Sequence, residues 1–125
     1  MKVLTLKQMN RLKKLGVDVK PKCTCLMYTS DSSDNYYLKY GESTCEDDII
    51  AFGLQDLIEL LPKYIIINSV THWICVSQNC LLTEFQIMYV DGNNSYSVIK
   101  QNKSLLQSAY NMLLWVIENG YLKTK

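Results

Sequence analysis

Five cysteines and a single histidine are the side chains in this chain best suited to metal or nucleophile chemistry. Cys23 and Cys25 stand in "CTC", and His72, Cys75 and Cys80 stand in "HWICVSQNC". All of these are legal zinc ligands, yet structural zinc draws its ligand pairs from C-x2-C turns, and no such spacing occurs. If residues 72 to 77 form a strand, His72 and Cys75 are an odd number of positions apart and point to opposite faces. An odd number of cysteines argues against a complete disulfide framework and for reduced, partly buried thiols. With one histidine, an acid/base or nucleophile pair must be built on His72 or on carboxylates. The carboxylates cluster in "SDSSDN" and "ESTCEDD", which have the composition of solvated loops. "DSSDN" lacks the central glycine and closing glutamate of a calcium loop, and no glycine-rich phosphate loop is present. The expectation is therefore a non-enzymatic protein with no catalytic residue, no cofactor and no bound metal.

The elements that would position these residues read as α+β. "TLKQMNRLKKLG" is a first helix near residues 5–15, with Thr5 and Gln8 at capping-box spacing and Gly16 as the left-handed stop. "CTCLMYTSDSSDNYYLKYG" reads as a hairpin around its polar loop. The acidic "ESTCEDD" is a connection to a second helix near residues 54–61. There Leu54, Leu57, Ile58 and Leu61 make an apolar face and Pro62 ends it. "YIIINS", "HWICVSQ", "EFQIMYV" and "YSVIKQ", broken by "SVT", "NCLL" and "DGNN", predict an antiparallel meander within residues 63–100. "SLLQSAYNMLLWVIENGYL" predicts a final helix near residues 104–119. It opens on a capping box from Ser104 to Gln107 and closes at Gly120, with Tyr121 packing on Val116. Strands and helices segregate rather than alternate. We therefore expect one compact α+β domain over residues 1–125, with about three helices packed on the meander.

Charge and hydropathy narrow the function classes. The chain is 48% hydrophobic with a net charge of +1, enough apolar material for a real core and no overall basic excess. No apolar run approaches the roughly 20 residues of a membrane span, and "MKVLTLKQMN" lacks a signal-peptide h-region. The expected location is cytoplasmic. The near-neutral total hides a strong asymmetry: residues 1–22 carry a local balance of +6 and residues 31–59 one of −7. Lys7, Arg11 and Lys14 share a stripe of the first helix opposite Met9 and Leu12. That stripe is either a solvated face or a contact for phosphates.

In the final helix, Leu105, Ala109, Met112 and Val116 belong to one broad apolar arc expected to cover a sheet. Leu114 falls beside Gln107, and Trp115 falls between Ser104 and Ser108, so both need a second surface. Leu114 borders the apolar arc through Tyr110 and suits an intramolecular contact. Trp115 is the stronger interface candidate, because tryptophan is favoured at interface centres.

"LTLKQMNRLKKLGVDV", "FGLQDLIELLPK" and "AYNMLLWVIENGYL" together resemble a family of small uncharacterised proteins from gut anaerobic bacteria and their prophages or mobile elements. The resemblance covers both ends and the second helix closely, and the hairpin and meander in general character. It implies the fold read above and transfers no catalytic residue. The leading expectation is a non-enzymatic protein-interaction or accessory protein of a mobile element, acting on a protein partner or on itself. The alternative is a small nucleic-acid-binding protein using Lys7, Arg11 and Lys14.

Overall fold

In a computed structural model, the described residues are 2–30, 35–79 and 81–122. They divide into two compact units, one running up to Gly53 and the other beginning at Leu54.

The first unit holds α1 (Leu6–Lys14) and three strands, β1 (Cys25–Ser30), β2 (Tyr36–Gly41) and β3 (Ile49–Ile50). The capping box forms as its spacing requires. The Thr5 hydroxyl accepts the Gln8 amide at 3.2 Å, and the Gln8 side chain accepts the Thr5 amide at 2.9 Å. Gly16 takes φ 93°, which lets the Val17 amide return to the Leu12 carbonyl at 3.0 Å. Met9 and Leu12 are fully buried on the inner side of α1. The hairpin pairs Cys25 with Gly41 through Ser30 with Tyr36. The middle of its loop, residues 31–34 of "SDSSDN", lies outside the described residues. The two-residue β3 was not expected from sequence; it pairs with the other edge of β1, giving the order β2-β1-β3. Before it, "ESTCEDD" curls around Asp48, whose Oδ2 accepts the Ser43 hydroxyl and the Thr44 and Cys45 amides. Burial alone would raise the Asp48 pKa. Hydrogen bonds from the Thr29 and Ser43 hydroxyls and those two amides outweigh it, holding the carboxyl below its ordinary value.

The second unit contains α2 (Leu54–Leu60), the strands β4 (Tyr64–Ile67), β5 (Val70–Gln78), β6 (Phe85–Val90) and β7 (Tyr96–Asn102), and α3 (Leu105–Glu118). The four strands form an antiparallel meander in chain order, as their composition predicted. The first turn falls earlier than the expected "SVT" break. Asn68 and Ser69 take φ 51° and 68°, a two-residue loop with both central residues left-handed, and Val70 and Thr71 are strand. Such a loop matches the twist of the flanking strands, and asparagine adopts that conformation readily.

The α3 helix packs on β6, β7 and α2. Ala109, Met112 and Val116 are fully buried, as expected, but Leu105 is only half-buried. It opens the first turn, and full coverage begins at Ser108. The capping box at this end is half formed. Ser104 accepts the Gln107 amide at 3.3 Å, whereas the Ser104 amide donates to Asn102 and the Gln107 side chain donates to Asn111. At the far end the Tyr121 amide reaches the Val116 carbonyl at 2.8 Å, past Gly120 at φ 77°. Across the core, the fully buried Tyr89 donates its hydroxyl to the Pro62 carbonyl at 2.7 Å, and burial raises its pKa.

Candidate functional site

The cations of α1 lie where the helical spacing put them. Lys7, Arg11 and Lys14 are all exposed, opposite buried Met9 and Leu12. On α3, Leu114 and Trp115 are both half-buried and line a recess of about 270 Å³ with Lys100, Asn111 and Glu118. The Trp115 ring stacks on Tyr121, with centroids 5.3 Å apart and planes 20° from parallel. Trp115 therefore has an intramolecular neighbour that the helical wheel, confined to the helix, could not supply.

The thiols are dispersed. Cys23 and Cys45 are exposed and Cys25 and Cys75 half-buried, while Cys80 lies outside the described residues. His72 is buried on the helix-covered face of the sheet, and Cys75 points to the opposite face, as their odd separation requires. Among the described residues, no three His, Cys, Asp or Glu side chains gather to hold a metal.

The histidine does find a partner distant in sequence. His72 Nδ1 lies 2.9 Å from the Val70 carbonyl, and Nε2 lies 2.8 Å from the Ser97 hydroxyl. A carbonyl oxygen can only accept a hydrogen bond, so Nδ1 carries a hydrogen and donates to Val70, and in the tautomer protonated there alone Nε2 accepts from the Ser97 hydroxyl. Ser97 reaches it because β7 is irregular there: Tyr89 pairs with Val98 and Val90 with Tyr96, leaving Ser97 as the extra residue of a bulge. Next to it, Asp91 accepts the Ser95 and Asn93 amides through Oδ1 and closes the hairpin. Those bonds, set against a small effect of burial, hold its carboxyl below the ordinary value, with a minor contribution from His72. A hydroxyl hydrogen-bonded to an oriented imidazole is the start of a nucleophile pair. Here the ring is buried and both its nitrogens are engaged, so the pair satisfies a core histidine and locks the strand ends.

The largest chemical feature of the second unit is the sheet face that α3 leaves open. Cross-strand partners share a face, and the pairing places Tyr64, Trp73, Val90 and Tyr96 in one row across all four strands. Ile66 and Thr71 form a second row, Cys75, Met88 and Ile99 a third, and Ser77, Gln86 and Gln101 a fourth. None of these twelve side chains is charged. The relative exposures of Tyr64, Ile66, Trp73 and Tyr96 are 58%, 57%, 50% and 58%. On the opposite face Ile65, Ile87, Tyr89 and Val98 are buried, while Val70 and Val76 of β5 remain 46% and 47% exposed. At the polar end, Ser77 donates to Gln86, Gln86 to Gln101, and Gln101 to Glu84. Neighbouring strands lie about 4.8 Å apart and alternate residues about 6.8 Å, so the four rows span roughly 15 by 20 Å.

Of the residues on this face only Cys75 was singled out from sequence, and for metal chemistry rather than for contact. The available signal was apolar content at both parities, as in "YIII" and "FQIMYV". An antiparallel sheet with one wet face ordinarily alternates apolar and polar side chains. Two exposed leucines, Leu81 and Leu82, also mark the β5–β6 loop, with Leu82 held at φ 57°. Among the described residues, no helix is long and apolar enough to cross a membrane. Compared with family models, curated proteins and solved structures, the chain matches none of them.

Proposed function

We propose that this chain is a non-enzymatic protein-interaction module whose contact surface is the uncharged face of the β4–β7 sheet. The observation that carries the reading is the row Tyr64, Trp73, Val90 and Tyr96, laid across four strands with its three aromatic rings about half exposed. Large exposed apolar patches mark interaction sites, and aromatic residues dominate interface energetics. The odd number of cysteines favours a reducing compartment, so we place the chain in the cytoplasm. The family resemblance points to an accessory role on a prophage or other mobile element. The test is native mass spectrometry of the chain isolated from its own cells, compared with Trp73→Ser. The reading expects a protein contact that the variant loses while keeping its circular dichroism spectrum. A contact that survives the substitution would remove this face as the site.

A second reading, nucleic-acid binding by α1, is favoured by the exposure of Lys7, Arg11 and Lys14 along one side of the helix. It predicts a gel shift that weakens steeply with salt and disappears in the triple Gln variant. No shift at low salt would end it.

A further inference from the structure

We propose that the uncharged face of the β4–β7 sheet docks on the same face of a second copy of this chain, sheet against sheet about a two-fold axis. The inference rests on the interaction reading and names its partner.

Area is the first argument. Large aromatic and branched side chains present roughly 150–250 Å² each, so Tyr64, Ile66, Trp73 and Tyr96, each about half exposed, offer roughly 400 Å². Their half-buried neighbours and the amide rim bring the face to roughly 600 Å². Two copies would then bury roughly 1,200 Å², the lower end of what a specific interface requires.

Charge is the second. A two-fold axis brings a patch onto itself, so a charged side chain near the axis meets its own copy. Charged residues make up 20% of this chain, which would place two or three among the twelve paired positions of the face, yet those twelve have none, and the nearest carboxylate, Glu84, stands at the polar end bonded to Gln101. A foreign partner imposes no such restriction, since it can supply the opposite charge. A nucleic-acid strand could stack on the aromatic row, but it needs cations along its phosphates, and the face supplies none.

Form is the third. Two twisted sheets pack face to face about 10 Å apart with side chains interdigitating, which suits a broad apolar surface. The Ser77, Gln86 and Gln101 ladder at one end gives the patch a polar rim.

Sedimentation velocity on the full chain tests the proposal, across roughly 1–500 µM because an interface of this size implies micromolar association. The wild type is expected to move from the 14.5 kDa chain to twice that mass as concentration rises. Trp73→Lys and Ile66→Lys should each weaken association by about tenfold or more, with melting temperatures close to wild type. Tyr40→Lys, at a more exposed aromatic of the first unit, should behave as wild type. A wild type that remains monomeric throughout would overturn the second copy and leave the face to a foreign protein. A dimer that survives both lysine variants would place the interface elsewhere and overturn the proposal. Loss of the native fold in both variants would mean the face is covered within the chain, and the interaction reading would fall with it.

Discussion

Ile65 and Ile66 are adjacent, identical in type and in the same strand, and only the sheet pleat separates their surroundings. Ile65 is 3% exposed and Ile66 57% exposed. Replacing each in turn by threonine keeps the β-branch, so strand propensity changes little. At Ile65 the exchange removes about two buried carbons, roughly 1.6 kcal/mol at about 0.8 per methylene. It also buries a hydroxyl without a partner, at roughly 1–3 kcal/mol more. The total is about 3 kcal/mol. At Ile66 less than half of the transfer free energy is at stake and the hydroxyl stays in water, so about 0.5 kcal/mol is expected. Both tryptophans, Trp73 and Trp115, lie in the second unit, so their fluorescence reports its unfolding. In urea, with a slope of about 2 kcal/mol per molar, Ile65→Thr should lower the midpoint by roughly 1.5 M. Ile66→Thr should lower it by about 0.25 M. The measurement belongs at low micromolar chain concentration, where copy–copy contact contributes little. Equal shifts, or a larger one at Ile66, would show that the uncharged side of the sheet is its core and not an open face.

Asp48 should make the fold acid-sensitive. Its carboxyl titrates below its ordinary value in the folded state, so its stabilisation is fully present above the unfolded pKa of about 4 and is lost as pH falls through the folded value. Asp48→Asn keeps an acceptor for Ser43, Thr44 and Cys45, and should flatten the fall in urea stability below about pH 5; an unchanged acid profile would show that the carboxylate does not carry it. Tyr89→Phe retains the buried ring but strips the Pro62 carbonyl of its donor, costing about 1–2 kcal/mol by chemical denaturation. A loss below about 0.3 kcal/mol would mean that solvent already satisfies that carbonyl. Trp115→Ser gives up the stack on Tyr121 and part of a half-buried ring, so a destabilisation of about 1–2 kcal/mol is expected. A loss of about 4 kcal/mol would make Trp115 a core residue, and none at all would make the stack energetically empty.

Local chemistry was legible wherever a signal is contained in a few consecutive residues. Thr5 with Gln8, Gly16 and Gly120 located the helix ends, because caps are closed by backbone groups three to five positions away. "DGNN" located a hairpin, because Asp91 bonds the amides of its own turn. Composition located four strands, and the absence of alternating helices located the α+β class. The two-residue β3 escaped because it is held extended by β1 and by the Val19 carbonyl, all more than twenty residues earlier.

The site was decided elsewhere. Strands such as "YIII" and "FQIMYV" are apolar at both parities, so nothing in them says whether Ile65 or Ile66 faces the core. A slip of one residue exchanges the two faces completely. The docking of α3 on β6 and β7 sets the faces there, burying Ile87, Tyr89 and Val98 and leaving Met88 and Tyr96 on the open side, and the cross-strand register carries that choice to Ile65 and Ile66. The His72–Ser97 pair likewise depends on a bulge that advances β7 by one residue, and the Trp115 stack on a chain reversal after Gly120. The sequence by itself determined which segments are helix, strand and turn, through interactions that span at most a few residues. Only tertiary structure decided which apolar side chains remain in water, because exposure is a property of what packs on a face.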